Sequence, residues 1–416
     1  MLMITAKLNT QRASKQLKEV VFKTPLQLNA NISKEHSCKV FLKREDLQSV
    51  RSYKIRGAYN KMLSLSSDQL RQGVVCASAG NHAQGVALSC NKLNAKGKIF
   101  MPQPTPKQKI EQVKMFGGSQ IEVILVGDTF DDAKHKAIQY CQDHDMIFIH
   151  PFDDLKVIEG QSTVAKEILD QAKDPIDYLL LPVGGGGLAA GVSDYFKRYS
   201  PMTKIIAVEP KGAASLKAAM ENDAPVTLNT IDKFIDGASV QRIGNLTFNF
   251  CQKNLNRVLT VDEGKVCSTI LKLYNKDAIV VEPAGALALA ALDQLEEEIK
   301  NKNVVCIVSG SNNDITRMEE IKERAMLYEK LKHYFLVKFP QRAGALKEYI
   351  NKVLSDTDDI THFEYLKKNN REKGMIKIGI EVQHPNDLKS IISNMKSRGY
   401  EFTYLNENEL LLQLLI

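Results

Sequence analysis

The chain has 416 residues, of which 44% are hydrophobic and 25% charged, with a formal net charge of +7. That length can bury a sizeable core, and the balance is ordinary for a soluble globular protein. Two partner classes are disfavoured: no run reaches the ~18 consecutive apolar residues of a membrane span, and the basic residues are scattered among acids without a basic block or any tryptophan, unlike a nucleic-acid surface.

Met1–Phe22 mixes Lys, Arg, Gln and Glu with no apolar core ahead of a small-residue cleavage site. No secretory signal is expected there, which makes the cytoplasm the expected location. From about residue 38 to 310, short apolar runs alternate with helical patterns. The runs are Val40–Leu42, Val74–Ala77, Ile99–Met101, Ile121–Val126, Ile147–Ile149, Tyr178–Val183, Ile205–Val208 and Val304–Val308. Helical patterns lie at Ala83–Leu93, Lys107–Phe116, Thr129–Asp143, Val157–Ala172 and Leu188–Arg198. This alternation predicts the α/β class, a mostly parallel sheet wrapped by helices. Ligands of such sheets collect beyond the carboxyl ends of the strands.

A charged helix, Met318–Lys330, precedes a second pattern. It reads strand Tyr334–Phe339, helix Ala345–Leu354, strand Ile360–Lys367, polar turn Lys368–Lys373, strand Met375–Val382, helix Asn386–Arg398 and strand Glu401–Leu405. This βαββαβ order is that of a ferredoxin-like fold. The seven cysteines (Cys38, Cys76, Cys90, Cys141, Cys251, Cys267, Cys306) form no C-x-x-C pair and no ligand-spaced cluster with histidine. Neither a disulfide framework nor a structural metal is expected.

Four turns carry candidate chemistry. In Ser52-Tyr53-Lys54-Ile55-Arg56-Gly57-Ala58 a lysine opens a helical run. It is either a solvated first-turn residue or an amine whose charge the helix dipole disfavours, as a Schiff-base lysine requires. Ser78-Ala79-Gly80-Asn81-His82 follows a strand and opens a helix. It is an N-cap, with Ser78 or Asn81 serving the helix, or a nest of N–H donors for an anion. His82 by itself reads as structural. Gly184-Gly185-Gly186-Gly187-Leu188 also joins a strand to a helix. Four glycines are costly in backbone entropy for a bare turn, and their N–H groups can wrap a phosphate. The spacing fits neither the dinucleotide fingerprint nor the P-loop. Ser309-Gly310-Ser311-Asn312-Asn313-Asp314 is a further strand-end turn offering a hydroxyl.

Together these pieces resemble the fold-type II (tryptophan synthase β-like) pyridoxal-phosphate enzymes, specifically the threonine deaminase family, over nearly the whole chain. The resemblance implies that Lys54, in the family's S-F/Y-K-x-R-G-A, carries pyridoxal 5'-phosphate as a Schiff base. It implies that Asn81 meets the cofactor's ring hydroxyl while Ser78, Ala79, Gly80, Asn81 and His82 hold the substrate carboxylate. Gly184–Leu188 would bind the phosphate, and Ser309 would meet the pyridine nitrogen. Val281-Glu282-Pro283-Ala284-Gly285-Ala286 and Asp236-Gly237-Ala238-Ser239-Val240 are further similar pieces.

Two positions depart from the family pattern. G-Q-G-T appears as Gly160-Gln161-Ser162-Thr163, which puts a glycine-dependent turn in question. Relatives that hold a divalent cation use a Glu and an Asp; Glu209 matches the first, but Ser215 stands near the second. No metal is expected, and a weak monovalent ion stays open.

The implied reaction is dehydration and deamination of L-threonine to 2-oxobutanoate and ammonia, the first step of isoleucine biosynthesis. In it the freed Lys54 amine takes the α-proton, and a serine at the ring nitrogen favours loss of the β-hydroxyl over transamination. Phe339–Leu346 resembles the first loop of ACT-like regulatory domains. That implies a catalytic domain at 1–325 (small subdomain about 50–155) and an ACT-like regulatory domain at 331–416. It also implies feedback by isoleucine or valine, and a homo-oligomer, expected as a tetramer. The alternatives are a serine dehydratase or racemase of the same fold, and a non-catalytic amino-acid sensor.

Overall fold

In a computed structural model, residues 7–365, 372–408 and 410–411 are described. Most of the polar turn expected at Lys368–Lys373 lies outside them. The chain forms two units, 1–315 and 316–416. The helix Met318–Tyr328 falls in the second of these.

The first unit contains two sheets. The larger runs in the order Leu26–Leu28, Lys39–Arg44, Asn303–Val308, Tyr178–Pro182, Lys204–Pro210, Arg257–Val261. All pairs are parallel except the outermost, Leu26–Leu28 against Lys39–Arg44. Tyr178–Pro182 lies near its middle, and all five residues are buried, as befits a parallel strand covered on both faces. The smaller sheet, Ile121–Leu125, Gly97–Met101, Val74–Ala77 and Ile147–Phe148, is wholly parallel.

Helices cover both sheets. Pro283–Ala290 is buried along its entire length, with Pro283 in its first turn where no N–H is needed. Phe130–His144 opens on a reciprocal Thr129–Asp132 capping box and stops at Asp145 in the left-handed region. The expected helix Val157–Ala172 is two helices, Leu155–Gln161 and Thr163–Gln171. At the junction the Ser162 and Thr163 hydroxyls bond back to the carbonyls of Glu159 and Gly160, competing with the helix ladder. Ser162 has helical angles (φ −61°, ψ −19°), so this position does not depend on glycine.

The second unit is an antiparallel sheet ordered Asp359–Tyr365, Lys373–Glu381, Lys332–Pro340, Glu401–Tyr404. Helices Ala345–Val353 and Asp387–Ser397 pack on it, their Tyr349, Val353, Ile391 and Met395 joining Phe335, Val337, Ile376 and Ile378 in one core. This is the ferredoxin-like order. No helix among the described residues is long and apolar enough to cross a membrane.

Candidate active site

The four turns converge on one cavity in the first unit, of about 890 Å³, within the size range of small-molecule sites. Lys54, Ser78, Ala79, Gly80, Asn81, His82, Gly184 to Leu188 and Ser309 all line it. The glycine and serine turns follow neighbouring strands of the large sheet, and the Ser78–His82 turn follows a strand of the small one. Every one lies at a carboxyl end, where parallel sheets leave helix N-termini facing a common crevice.

Lys54 is the first residue of helix Lys54–Leu63, which has no side-chain cap. Its Nζ donates to the Pro151 carbonyl at 2.9 Å. Burial lowers its pKa to about 8, against an opposing pull from Glu282. An amine so poised is partly neutral near physiological pH and can act as nucleophile or base. The N–H of Tyr53 donates to the Ser309 carbonyl at 3.2 Å, tying the lysine turn to the serine turn.

The glycine loop is packed too tightly for side chains. A Cβ on Gly185 would overlap the Phe152 ring, and one on Gly184 would sit 2.9 Å from the Ala238 backbone. Gly186 has φ +87° and would bring a Cβ within 2.9 Å of Thr247, a position only glycine occupies without strain. Thr247 Oγ1 in turn donates to the Gly185 carbonyl at 2.7 Å. The loop is therefore a braced cradle at the start of helix Gly187–Tyr199, and its N–H groups and helix dipole suit a phosphate. Cradle, poised amine and cavity size fit a phosphorylated aldehyde cofactor.

Asn81 begins helix Asn81–Leu93, whose first-turn N–H groups have no intrahelical acceptor and can receive a carboxylate. The Asn81 side chain is fixed at both ends: Nδ2 donates to Glu282 Oε1 and Oδ1 accepts from Asn312 Nδ2, each at 2.6 Å. His82 is buried, with Nε2 at 2.8 Å from the Ile149 carbonyl. Desolvation, aided by the nearby Lys54 charge, lowers its pKa to about 3. The ring is therefore neutral, with Nε2 facing the Ile149 carbonyl.

Two contributors escaped sequence reasoning. The segment His150–Asp154 joins the parts of the site. Pro151 accepts from Lys54, Phe152 backs the glycines, and Asp153 accepts from the N–H groups of Asn245, Leu246 and Thr247. Its only sequence signal is a Pro-Phe-Asp-Asp turn after a short strand. Glu282 also lies in the cavity wall at 4% exposure. In the sequence it stands only as one letter of the Val281–Ala286 piece, with no role attached to it.

Glu209 is buried, and both its oxygens accept N–H bonds, from Leu216 at 2.7 Å and Lys217 at 2.8 Å. It caps the short helix Ser215–Glu221. Among the described residues, the acid–histidine group with ligand-like spacing is Glu35, His36 and Asp293. Its acids pair with Lys272 and Lys265, and none of the three lines the cavity.

The family described as "Pyridoxal-phosphate dependent enzyme" matches residues 17–310, and the "C-terminal regulatory domain of Threonine dehydratase" matches 323–415. The chain is 53% identical over 404 residues to the biosynthetic L-threonine dehydratase IlvA of Halalkalibacterium halodurans, covering 97% of each. Among solved structures, the processed form of threonine deaminase isoform 2 from Solanum lycopersicum aligns with a TM-score of 0.72 at 40% identity. It covers 76% of this chain and 93% of that one. Serine racemase from Dictyostelium discoideum aligns at 0.68 and 30% identity, covering 74% of this chain and 98% of that one.

Proposed function

The chain belongs to the threonine dehydratase family of pyridoxal-phosphate-dependent enzymes, and from this we propose that it converts L-threonine to 2-oxobutanoate and ammonia, the opening step of isoleucine biosynthesis. The observation that carries the choice of threonine is the 53% identity extending over 97% of both chains, regulatory part included. The racemase likeness is lower in identity and covers less of the chain.

Pyridoxal phosphate, when bound, supplies an electron sink for the charge left at the substrate's α-carbon. The chain's own residues do the rest. Lys54 would hold the cofactor through its amine, and that amine, its proton affinity lowered by burial, would be the base for the α-proton. The glycine cradle would hold the phosphate, and the N–H groups of the Ser78–His82 turn would orient the substrate carboxylate. Ser309, in the cavity wall, would offer the ring nitrogen a hydroxyl rather than a carboxylate, which would limit protonation of the ring and favour loss of the β-hydroxyl.

Catalysis is assigned to the first unit and control to the second, with isoleucine or valine as the effector. The working form is a homotetramer in the cytoplasm. All seven cysteines are buried and outside any disulfide, which suits a reducing compartment.

The test is release of keto acid from threonine and from serine, each with and without isoleucine or valine. Threonine should be the better substrate and isoleucine should inhibit. Lys54→Ala should abolish both turnover and the visible absorption of bound cofactor. Turnover of serine alone would make the protein a serine lyase. Keto acid production surviving in Lys54→Ala would remove Lys54 from its role.

A further inference from the structure

Glu282 is a deeply buried carboxylate in the wall of the cavity, hydrogen-bonded by amides, with the charges of Lys54 and Lys109 also acting on it. Its Oε1 accepts from Asn81 Nδ2 at 2.6 Å, and the backbone N–H of Asn312 also bonds to it. It packs directly on Gly310, where a Cβ would overlap its Oε1. Its own N–H donates to the Gly310 carbonyl at 3.2 Å. The carboxylate therefore sits between the Asn81 side chain and the turn that carries Ser309.

The direction of every bond in this chain is fixed by its far end. The Val50 carbonyl can only accept, and Asn312 Nδ2 lies 2.9 Å from it. That defines the nitrogen end of the Asn312 amide. The same nitrogen, at 2.6 Å from Asn81, must face the oxygen of that amide. Asn81 is thereby turned so that its nitrogen meets Glu282. An amide nitrogen carries two protons; Glu282 takes one, leaving the other as the only side-chain donor Asn81 can present elsewhere.

We propose that Glu282 is a positioning residue for cofactor binding, acting through Asn81. With Asn312 it locks the asparagine amide in one orientation and polarises the remaining N–H for the ring oxygen of pyridoxal phosphate. This rests on the assignment of the cavity to that cofactor with its ring hydroxyl at Asn81. A buried chain of hydrogen bonds strengthens each member, and preorganisation removes the cost of choosing between two amide rotamers. Burial raises Glu282 to about 7, with Asp236 adding to the rise and the Asn81 bond, the Lys109 charge and the Asn312 N–H opposing it. The group is thus held near the point where its charge, and its pull on Asn81, can be lost.

The experiment measures the dissociation constant of pyridoxal phosphate and the position of its visible absorption band. Full-length protein stripped of cofactor is used as wild type, Glu282→Gln, Asn81→Ala and the double variant. Glutamine keeps the volume but can turn a donor toward Asn81. Glu282→Gln should weaken binding by about tenfold, the scale of one lost charge-assisted hydrogen bond, and shift the band. In the Asn81→Ala background it should have no further effect. Equal weakening in both backgrounds, or none in either, would overturn the proposal. Asn312→Ser provides the same cycle from the other end of the amide if Glu282→Gln does not fold. Borohydride reduction separates the two levels: failure to tag Lys54 in the wild type overturns the cofactor assignment itself. Tagging with additive effects overturns only the role of Glu282.

Discussion

Two residues after Lys54, the same helix buries an arginine. Arg56 is 1% exposed and donates through Nε and Nη2 to the two oxygens of Glu45, at 2.7 and 2.8 Å. It also reaches both oxygens of Glu167, at 2.8 and 2.9 Å. Lys43 completes the group with a 2.6 Å bond to Glu167. Such a network can contribute little net stability when intact, but removing one partner strands a buried charge. Arg56→Met should therefore lower unfolding free energy by about 3–5 kcal/mol, measured by urea titration. A loss below about 1 kcal/mol would mean that water already reaches Glu45. Lys54 was legible from the sequence because its neighbours form a contiguous pattern. Arg56 and Glu282 were legible only as letters in such patterns, because the partners Glu167 and Asn81 lie far along the chain. Burial of a single acid is a tertiary fact that local spacing does not encode.

At the level of elements, the glycine loop separates binding from stability. Gly185→Ala places a methyl group against the Phe152 ring, so the loop must move away from its braced position. The expected outcome is a loss of cofactor affinity of about tenfold or more, as phosphate N–H bonds are lost. The melting temperature of the cofactor-free protein should fall modestly. Equilibrium dialysis and thermal melts of stripped protein distinguish the two, and unchanged affinity would remove the loop from the phosphate site. The strands feeding this loop and the serine turn were plain in the sequence, since Tyr178–Pro182 and Asn303–Val308 are near-continuous apolar runs. Leu26–Leu28 and Arg257–Val261 were missed. They are the outer strands of the sheet, one only three residues long and the other mostly half-exposed, and neither has a strong apolar period. The split at Ser162 was also hidden, since it depends on hydroxyls turning back on their own helix.

For the whole molecule, the division at residue 315 gives a clean cut. A chain ending there should keep threonine turnover and lose its response to isoleucine and valine, read as keto acid release with each effector present. Retained inhibition would locate the effector site in the first unit. The architecture also bears on how the protein is made. Asn303–Val308 inserts between Lys39–Arg44 and Tyr178–Pro182 in the middle of the large sheet, yet it is the last strand of that sheet to leave the ribosome. Until it arrives, two apolar strand edges have no partner, the kind of exposure that invites aggregation and calls for chaperones. Ser309 and the turn beneath Glu282 come with that same strand. A nascent chain consequently has no complete cofactor pocket until the turn at Ser309 has been made, so full loading with pyridoxal phosphate follows assembly of the large sheet rather than assisting it.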